Sequence, residues 1–422
     1  MHKIIGNIKG QNILFLQGPL GGFFEKLGHY FQAYGAKTYQ ICFNAGDAFF
    51  AQRDNRIYFR EPLLKWASFF RKVIIDNAID RVFLFGDCRI YHRIALRVAE
   101  AMNVECYVFE EGYIRPDFIS LEKHGVNDFT NISRQRSFYE KIDPTVSPLP
   151  EIIPAENDYA KSAVIATCYY ILMQLFSFRY PHYEHHREKG CIKQAFWGIR
   201  NAYRKIFYQL CEGSIHKKID GTWSQKFYFV PLQTYNDFQI RMHSPYNSVE
   251  AFIEEVMISF YAHAPKDTYL LFKHHPADRG KKNYTFLIRQ LASNLSMSER
   301  VIVTHDVHIP TCLKNALGTI TINSTVGVSS LFHKTPTITL GRAVYDIDGL
   351  TCHGMSLKEF WRNRKTPDMS LFRKFRYYLI DNTQLNGGFF GHFPAEWALP
   401  AKKYISSHSH NIETNSTKLK TV

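Results

Sequence analysis

Residues able to handle phosphate cluster where two apolar runs end. Lys273-His274-His275-Pro276 closes the run Tyr269–Lys273, and Asn323-Ser324-Thr325-Val326-Gly327 follows Thr319–Ile322 and opens the helical stretch VSSLFH. A helix start with exposed N–H groups and small hydroxyls is an anion site, and a Lys/His pair at a neighbouring strand end would neutralise a departing phosphate. The plainer reading is that His275 caps a turn and Ser324 caps a helix. Two such segments at adjacent strand ends favour the ligand.

Acids stand at further strand ends. Glu110 and Glu111 lie in EEGYIRPD, and Asp237 in PLQTYND. Carboxylates brought from opposite sides of a cleft suit an acid/base and nucleophile pair around an oxocarbenium-like centre. An ion pair between one glutamate and Arg115 is the alternative. Asp47 in NAGD and Asp87 in GDCR suit hydroxyl binding better than catalysis, while Arg89 and Arg115 offer planar forks for a carboxylate or phosphate. Gly18, Gly21 and Gly22 allow a ligand close to the backbone, or simply a tight turn. His182, His185 and His186 invite a metal reading, but Arg187 stands among them and Glu184 and Glu188 can be used in ion pairs, so a patch for an anionic surface is favoured and no metal is expected.

The elements that must carry these residues alternate. Ile13–Gln17, Thr38–Phe43, Val82–Phe85 and Glu105–Phe109 read as buried strands between amphipathic helices. So do Phe227–Leu232, Tyr269–Lys273, Val301–Thr304, Thr319–Ile322 and Thr337–Leu340. Continuous apolar strands between helices indicate parallel, doubly wound α/β sheets, whose ligands sit at the carboxyl ends of the strands. This predicts an N-terminal Rossmann-like domain over 1–140, a helical, basic-aromatic insertion over 141–221, a second Rossmann-like domain over 222–360, helices packing back over 361–395 and a disordered tail over 396–422.

Composition narrows the function. The chain has 422 residues, with 52 Lys plus Arg against 38 Asp plus Glu, a net charge of +14, and 15% aromatic residues. That balance favours anionic partners, and the aromatic surplus must be packed, stacked on a ligand or laid against lipid. No nucleic-acid module is recognisable. There is no G-x-x-x-x-G-K-[ST], and residues 18–22 do not match G-x-G-x-x-G, which disfavours NTPases and nicotinamide enzymes. Eight scattered cysteines without a C-x-x-C pair fit a reducing cytosol. The apolar run Ser162–Phe178 is short for a membrane span and reads as a buried or interfacial helix.

FLQGPLGGFF, NAGD, LFGDCR, VFEEGYIRPDFISLE, VPLQ with NDFQI, KHHP, NSTVG and TQLNGGFF together resemble capsular polysaccharide export proteins of the KpsS type, up to about Pro394. That family is similar to retaining β-Kdo transferases with a two-domain, sialyltransferase-like GT-B architecture. The resemblance implies transfer of Kdo from CMP-Kdo to phosphatidylglycerol or its lyso form at the inner leaflet of the cytoplasmic membrane, with other capsule proteins as partners and no cofactor. It implies that Lys273, His275, Pro276, Asn323, Ser324, Thr325, Gly327 and Gln233 hold CMP-Kdo, that Asp237 is the acid of the Q-x-x-x-D position and Glu110 or Glu111 its partner, with His275 at the leaving phosphate. Gly18, Gly21, Gly22, Asp47, Asp87, Arg89 and Arg115 would then face acceptor or sugar. The competing expectation is a non-catalytic assembly factor that binds the lipid-linked polysaccharide.

Overall fold

A computed structural model describes residues 4–145, 149, 151–185 and 191–394. Its first half lays down β1 (Asn12–Phe15), β2 (Lys37–Cys42), β3 (Arg56–Tyr58), β4 (Arg81–Phe85), β5 (Glu105–Glu111) and β6 (Phe118–Lys123), with α1 (Phe23–Ala33), α2 (Ala45–Phe50), α3 (Trp66–Asp76) and α4 (Ile90–Ala101) between them. The chain returns to this sheet at its far end with β12 (Gln384–Asn386), giving the order β12-β6-β5-β4-β1-β2-β3. β1 to β5 pair in parallel, whereas β6 runs antiparallel to β5 and β12 antiparallel to β6.

The second half is wholly parallel. It contains β7 (Phe227–Pro231), β8 (Tyr269–Lys273), β9 (Val301–Thr304), β10 (Gly318–Thr321) and β11 (Thr337–Thr339), in the order β11-β10-β7-β8-β9. Counted from its own first strand, each half has the order 3-2-1-4-5. The direction of winding therefore reverses between β1 and β4 and again between β7 and β10. Crossovers leave on opposite faces at such a point and open a crevice at the carboxyl ends of the strands. The fold expected from the sequence, two doubly wound α/β halves with a helical insertion, is the fold observed.

Alternation along the strands explains both the core and the aromatic surplus. Phe15, Phe83, Tyr107 and Phe109 face one side of the first sheet, where Phe24 and Phe31 of α1 meet them, while Leu14, Val82, Leu84 and Val108 face the other. Ring pairs fill the first side, with Phe83 stacked on Tyr107 at 5.0 Å and Phe15 on Phe31 at 5.9 Å. The halves also share an apolar cluster, in which Tyr113 and Tyr139 of the first meet Val328, Leu331 and Tyr345 of the second and Phe375 of the closing helix.

Between the sheets come α5 (Arg136–Glu140), α6 (Tyr159–Leu175), α7 (Cys191–Cys211) and α8 (Gly213–Asp220). The second half adds α9 (Phe238–His243), α10 (Val249–His263), α11 (Thr285–Asn294), α12 (Ile309–Asn315) and α13 (Val326–Phe332), and α14 (Leu357–Asn363) and α15 (Met369–Asn382) follow. α6 is docked on α2: Gly46 leaves room for the Tyr169 ring, and the Tyr169 hydroxyl donates to Asp47 at 2.7 Å. α7 is docked on the second half, where Arg200 donates to the Gly280 and Lys281 carbonyls and Arg204 to that of Arg279. The segment 361–395 is not purely helical, since it supplies β12; Leu385 completes the apolar face beside Ile119 and Leu121. The tail over 396–422 lies outside the described residues.

Candidate active site

At the β7/β10 switch point three polar side chains lock together. Gln233, just after β7, donates from Nε2 to Asp237 at 3.1 Å and to the Asn323 side-chain oxygen at 3.0 Å, while its own oxygen accepts from the Asn323 amide at 3.2 Å. Asn323 in turn donates to the Gln239 carbonyl at 3.1 Å. Asp237 caps α9 by accepting from the Gln239 amide at 2.9 Å, so each of its oxygens accepts one hydrogen bond. Ser324 accepts from the Val326 amide at 3.3 Å and keeps its hydroxyl proton for another acceptor. Thr325 occupies the cap position of α13 without a side-chain cap. Gly327 serves packing: a Cβ there would lie 2.1 Å from the hydroxyl of buried Tyr345.

The turn after β8 brings His275 to the same edge. Its Nδ1 accepts from the Ala277 amide at 3.2 Å, which places the ring proton on Nε2. Burial, followed by the charges of Lys273 and Arg115, depresses its pKa to about 4, so at neutral pH this histidine donates a hydrogen bond and carries no charge. Arg115 belongs to the first half, so a cation of the EEGYIRPD loop adds to the positive charge acting on His275. Pro276 opens the short turn and is exposed. Asp278, buried behind it, accepts from the Tyr235 amide at 2.8 Å; burial, with the Asp237 charge added, lifts its pKa to about 6.

Lys273 lies deeper than the sequence implies. It is 5% exposed, donates to the His274 carbonyl at 3.2 Å and has its proton affinity lowered by burial. The charged groups acting on it are Arg279, Asp306 and Glu212, on the β9 side of the sheet and not on the Ser324 side. His274 is buried too, stacked on His305 at 4.3 Å, and burial holds it neutral, with a pKa of about 3.

In the first half the acids separate into exposed and enclosed groups. Glu110 is half-buried and Glu111 exposed, because successive strand residues point to opposite faces. Loss of solvent raises the Glu110 pKa to about 7, with Glu111 and Asp87 pushing the same way, against the Glu111 amide, which donates to it at 3.0 Å, and the Arg89 charge. Arg115 donates to the Gly112 carbonyl at 3.3 Å, and neither glutamate forms an ion pair with it among the described contacts. Asp87 accepts from the Val126 amide at 2.9 Å and from the Cys88 thiol at 3.2 Å, and burial raises its pKa.

Asp47 is committed inside the protein. Tyr169, Gln17, Asn44 and the Phe43 amide all donate to it, and its pKa is raised by burial in spite of them. Its observed work is to tie α6 to the sheet. Arg89 donates to the Gln17 side-chain oxygen at 2.9 Å, so Gln17 and Arg89 span the β1/β4 switch point as Gln233 and Asn323 span the other. The glycine turn is tight for packing reasons: Gly18 faces the Phe24 ring, Gly22 faces Glu25, and Gly21, at φ +93°, abuts Ile165 of α6.

The halves close on a narrow crevice lined by Tyr113 and Asn127 from the first and by Gln239, Asn323, Thr325 and Arg342 from the second. At its side Asp128 accepts from Arg342 at 2.9 Å and from Arg134 at 2.8 Å. It faces His243 Nδ1 at 3.4 Å, and His243 Nε2 lies 3.8 Å from the Cys88 sulfur. Sequence reasoning missed this bridge and Tyr113, although Tyr113 lies in the EEGY block and Asn127 and Asp128 follow directly on GV. Among the described residues no group of three or more His, Cys, Asp or Glu side chains is arranged to hold a metal, and His186, Arg187 and Glu188 lie outside them.

Residues 80–390 match the family described as capsule polysaccharide biosynthesis protein. The chain belongs to that family. It is 36% identical over 383 residues to the Escherichia coli "Capsule polysaccharide export protein KpsS", covering 91% of this chain and 98% of that one. It is 37% identical over 388 residues to the Neisseria meningitidis serogroup B "Capsule polysaccharide modification protein LipB", covering 90% and 92%. Among solved structures it is similar to the Thermosulfurimonas dismutans KpsC "beta Kdo 2,7 transferase", at 13% identity and a TM-score of 0.40, over 86% of this chain and 89% of that one. No helix among the described residues of this capsule-family protein is long and apolar enough to cross a membrane.

Proposed function

We propose that this capsule-family protein is a glycosyltransferase that moves Kdo from CMP-Kdo, with retention, to a phosphatidylglycerol-type lipid, forming the first β-linked Kdo of the capsule's lipid linker at the cytoplasmic face of the membrane. The observation that carries the reading is a cleft lined by both halves, Tyr113 and Asn127 on one side and Gln239, Asn323, Thr325 and Arg342 on the other, at the edge where Gln233 binds both Asn323 and Asp237. Family membership and the printed functions of the relatives support capsule assembly as the setting.

The chemistry follows from the charge states. An Asp237 oxygen attacks the anomeric carbon, the bond to the phosphate oxygen breaks, and its electron pair leaves with CMP. His275 Nε2–H and the Ser324 hydroxyl would donate to that oxygen, and Arg115, the cation of the first half that acts on His275, would supply the balancing positive charge. This differs from a donor site built on Lys273, whose ammonium is turned toward the His274 carbonyl, and on α13, whose seven residues align few peptide dipoles. The acceptor's glycerol hydroxyl then attacks the same carbon, Glu110 takes its proton and the Asp237 carboxylate is released. Two inversions give retention. Glu110 suits the base role better than Glu111 because its raised pKa lies near the operating pH.

Purified protein with CMP-Kdo and a short-chain phosphatidylglycerol should yield CMP and a lipid heavier by one Kdo. The Asp237→Asn variant, whose amide oxygen can still cap α9, should fold and fail to turn over. A folded Asp237→Asn protein that works normally, or wild-type protein that gives no product, would overturn the reading and favour a non-catalytic assembly role.

A further inference from the structure

The outward side of α7 is unpartnered and apolar. Phe196, Ile199, Tyr203, Ile206, Phe207 and Leu210 are all exposed, Ile199 by 73% and Leu210 by 80%, and their spacing of three and four residues draws them into one stripe about 100° wide. The adjoining face, with Arg200, Arg204 and Tyr208, is the one docked on the second half. Beside α7, α6 also turns apolar side chains outward: Val164, Ile171 and Leu175, and beyond its end Phe178. In water such a ridge is costly, and an isolated soluble domain rarely keeps one this continuous.

Charge identifies what covers it. Residues 159–183 and 191–211 contain no Asp or Glu, whereas Lys161, Arg179 and Lys205 are exposed there, with the Arg179 guanidinium lying over the Phe176 and Phe178 rings. An apolar stripe on helices that carry cations and no acid fits the headgroup zone of an anionic bilayer, where rings and aliphatic chains sink in and Lys and Arg stay with the phosphates. Neither helix is long and apolar enough to cross.

We infer that the outer faces of α6 and α7 form a lipid-surface docking site that lays the protein flat on an anionic membrane. The inference deepens the lipid-acceptor reading and rests on it for its purpose; the geometry stands by itself. α7 also leads directly into the sugar-handling half. Glu212 at its end accepts from the His305 and Asp306 amides at 2.8 and 2.9 Å, so the membrane contact is rigidly coupled to the turn after β9.

Sedimentation with vesicles of phosphatidylcholine, with and without phosphatidylglycerol, tests the site without any sugar donor. Wild-type protein should bind the mixed vesicles and far less to phosphatidylcholine alone. The triple variant Ile199→Ser, Ile206→Ser, Leu210→Ser should lose more than about tenfold in partition coefficient while keeping turnover on a short-chain, water-soluble acceptor. Should the triple variant fold poorly, a fluorophore on Ile199→Cys should shift to the blue on mixed vesicles. The proposal falls if wild type ignores the vesicles, if the triple variant binds as well as wild type, or if the fluorophore does not respond. It falls equally if wild type is a dimer that the triple variant splits, because a second copy would then be the occupant. Failure of Kdo transfer with vesicle binding intact would sink the catalytic reading and leave the surface standing.

Discussion

Replacing Glu110 by Gln should make the protein more stable and less active, with both effects governed by pH. In the folded chain the Glu110 carboxyl keeps its proton up to about pH 7, against 4.5 ordinarily. Between those values the folded state binds a proton that the unfolded state has released, so stability falls as pH rises through the window and stays at the lower level above it. At about 1.4 kcal/mol per pH unit the full effect is about 3 kcal/mol, and the solvent still reaching this half-buried group reduces it to about 2 kcal/mol. Glutamine presents a neutral amide that still accepts from the Glu111 amide and has no proton to lose. Urea unfolding of both proteins from pH 4.5 to 8 should show nearly equal stability at the acid end and a Gln advantage of about 2 kcal/mol above pH 7. Turnover moves the other way: wild-type kcat should fall as pH drops below about 7, and the variant should lose about 10²- to 10⁴-fold. A stability difference that does not vary with pH, or a Gln variant weaker than wild type at pH 8, would refute the account of Glu110 as an enclosed, proton-holding base.

Asp237→Asn should cost about 10³-fold or more in CMP release, with the far-ultraviolet circular dichroism unchanged. Tyr169→Phe removes a 2.7 Å donor from an enclosed carboxylate; denaturant titration should register a loss of about 1.5–3 kcal/mol, and limited proteolysis should cut α6 faster. Gly327→Ala puts a methyl group onto the Tyr345 hydroxyl. A loss of about 1–3 kcal/mol by the same titration, recovered in part by Tyr345→Leu, which removes the hydroxyl and the ring carbons that the new methyl would meet, would confirm that packing governs the position.

Much of the frame was legible because it is local. Apolar runs such as ILFLQ and YLLFK, closed by Gly, His or Asn, identify buried parallel strands and their carboxyl ends from composition alone. Three strands escaped that logic, the first being β3, only three residues long and paired to β2 at the sheet edge. β6 is set by antiparallel pairing with β5, and β12 joins the first sheet from more than 250 residues away, so neither has a local signal comparable to the parallel runs.

Side-chain direction was the other gap. Asp47 reads as a strand-end acid open to ligand until Tyr169, 122 residues later, closes over it, and Lys273 reads as a phosphate cation until its ammonium turns inward to the His274 carbonyl. Asp128, unremarkable in sequence, joins the halves because Arg342 and His243 arrive there from the other sheet.

The sequence by itself determined which residues stand at strand ends, since hydrophobic periodicity and turn chemistry act over a few neighbours. Only the tertiary structure decided which of those residues share solvent, charge and protons, because burial and electrostatics depend on distance in space, and the groups that set them come from chain segments that meet only when both sheets are assembled.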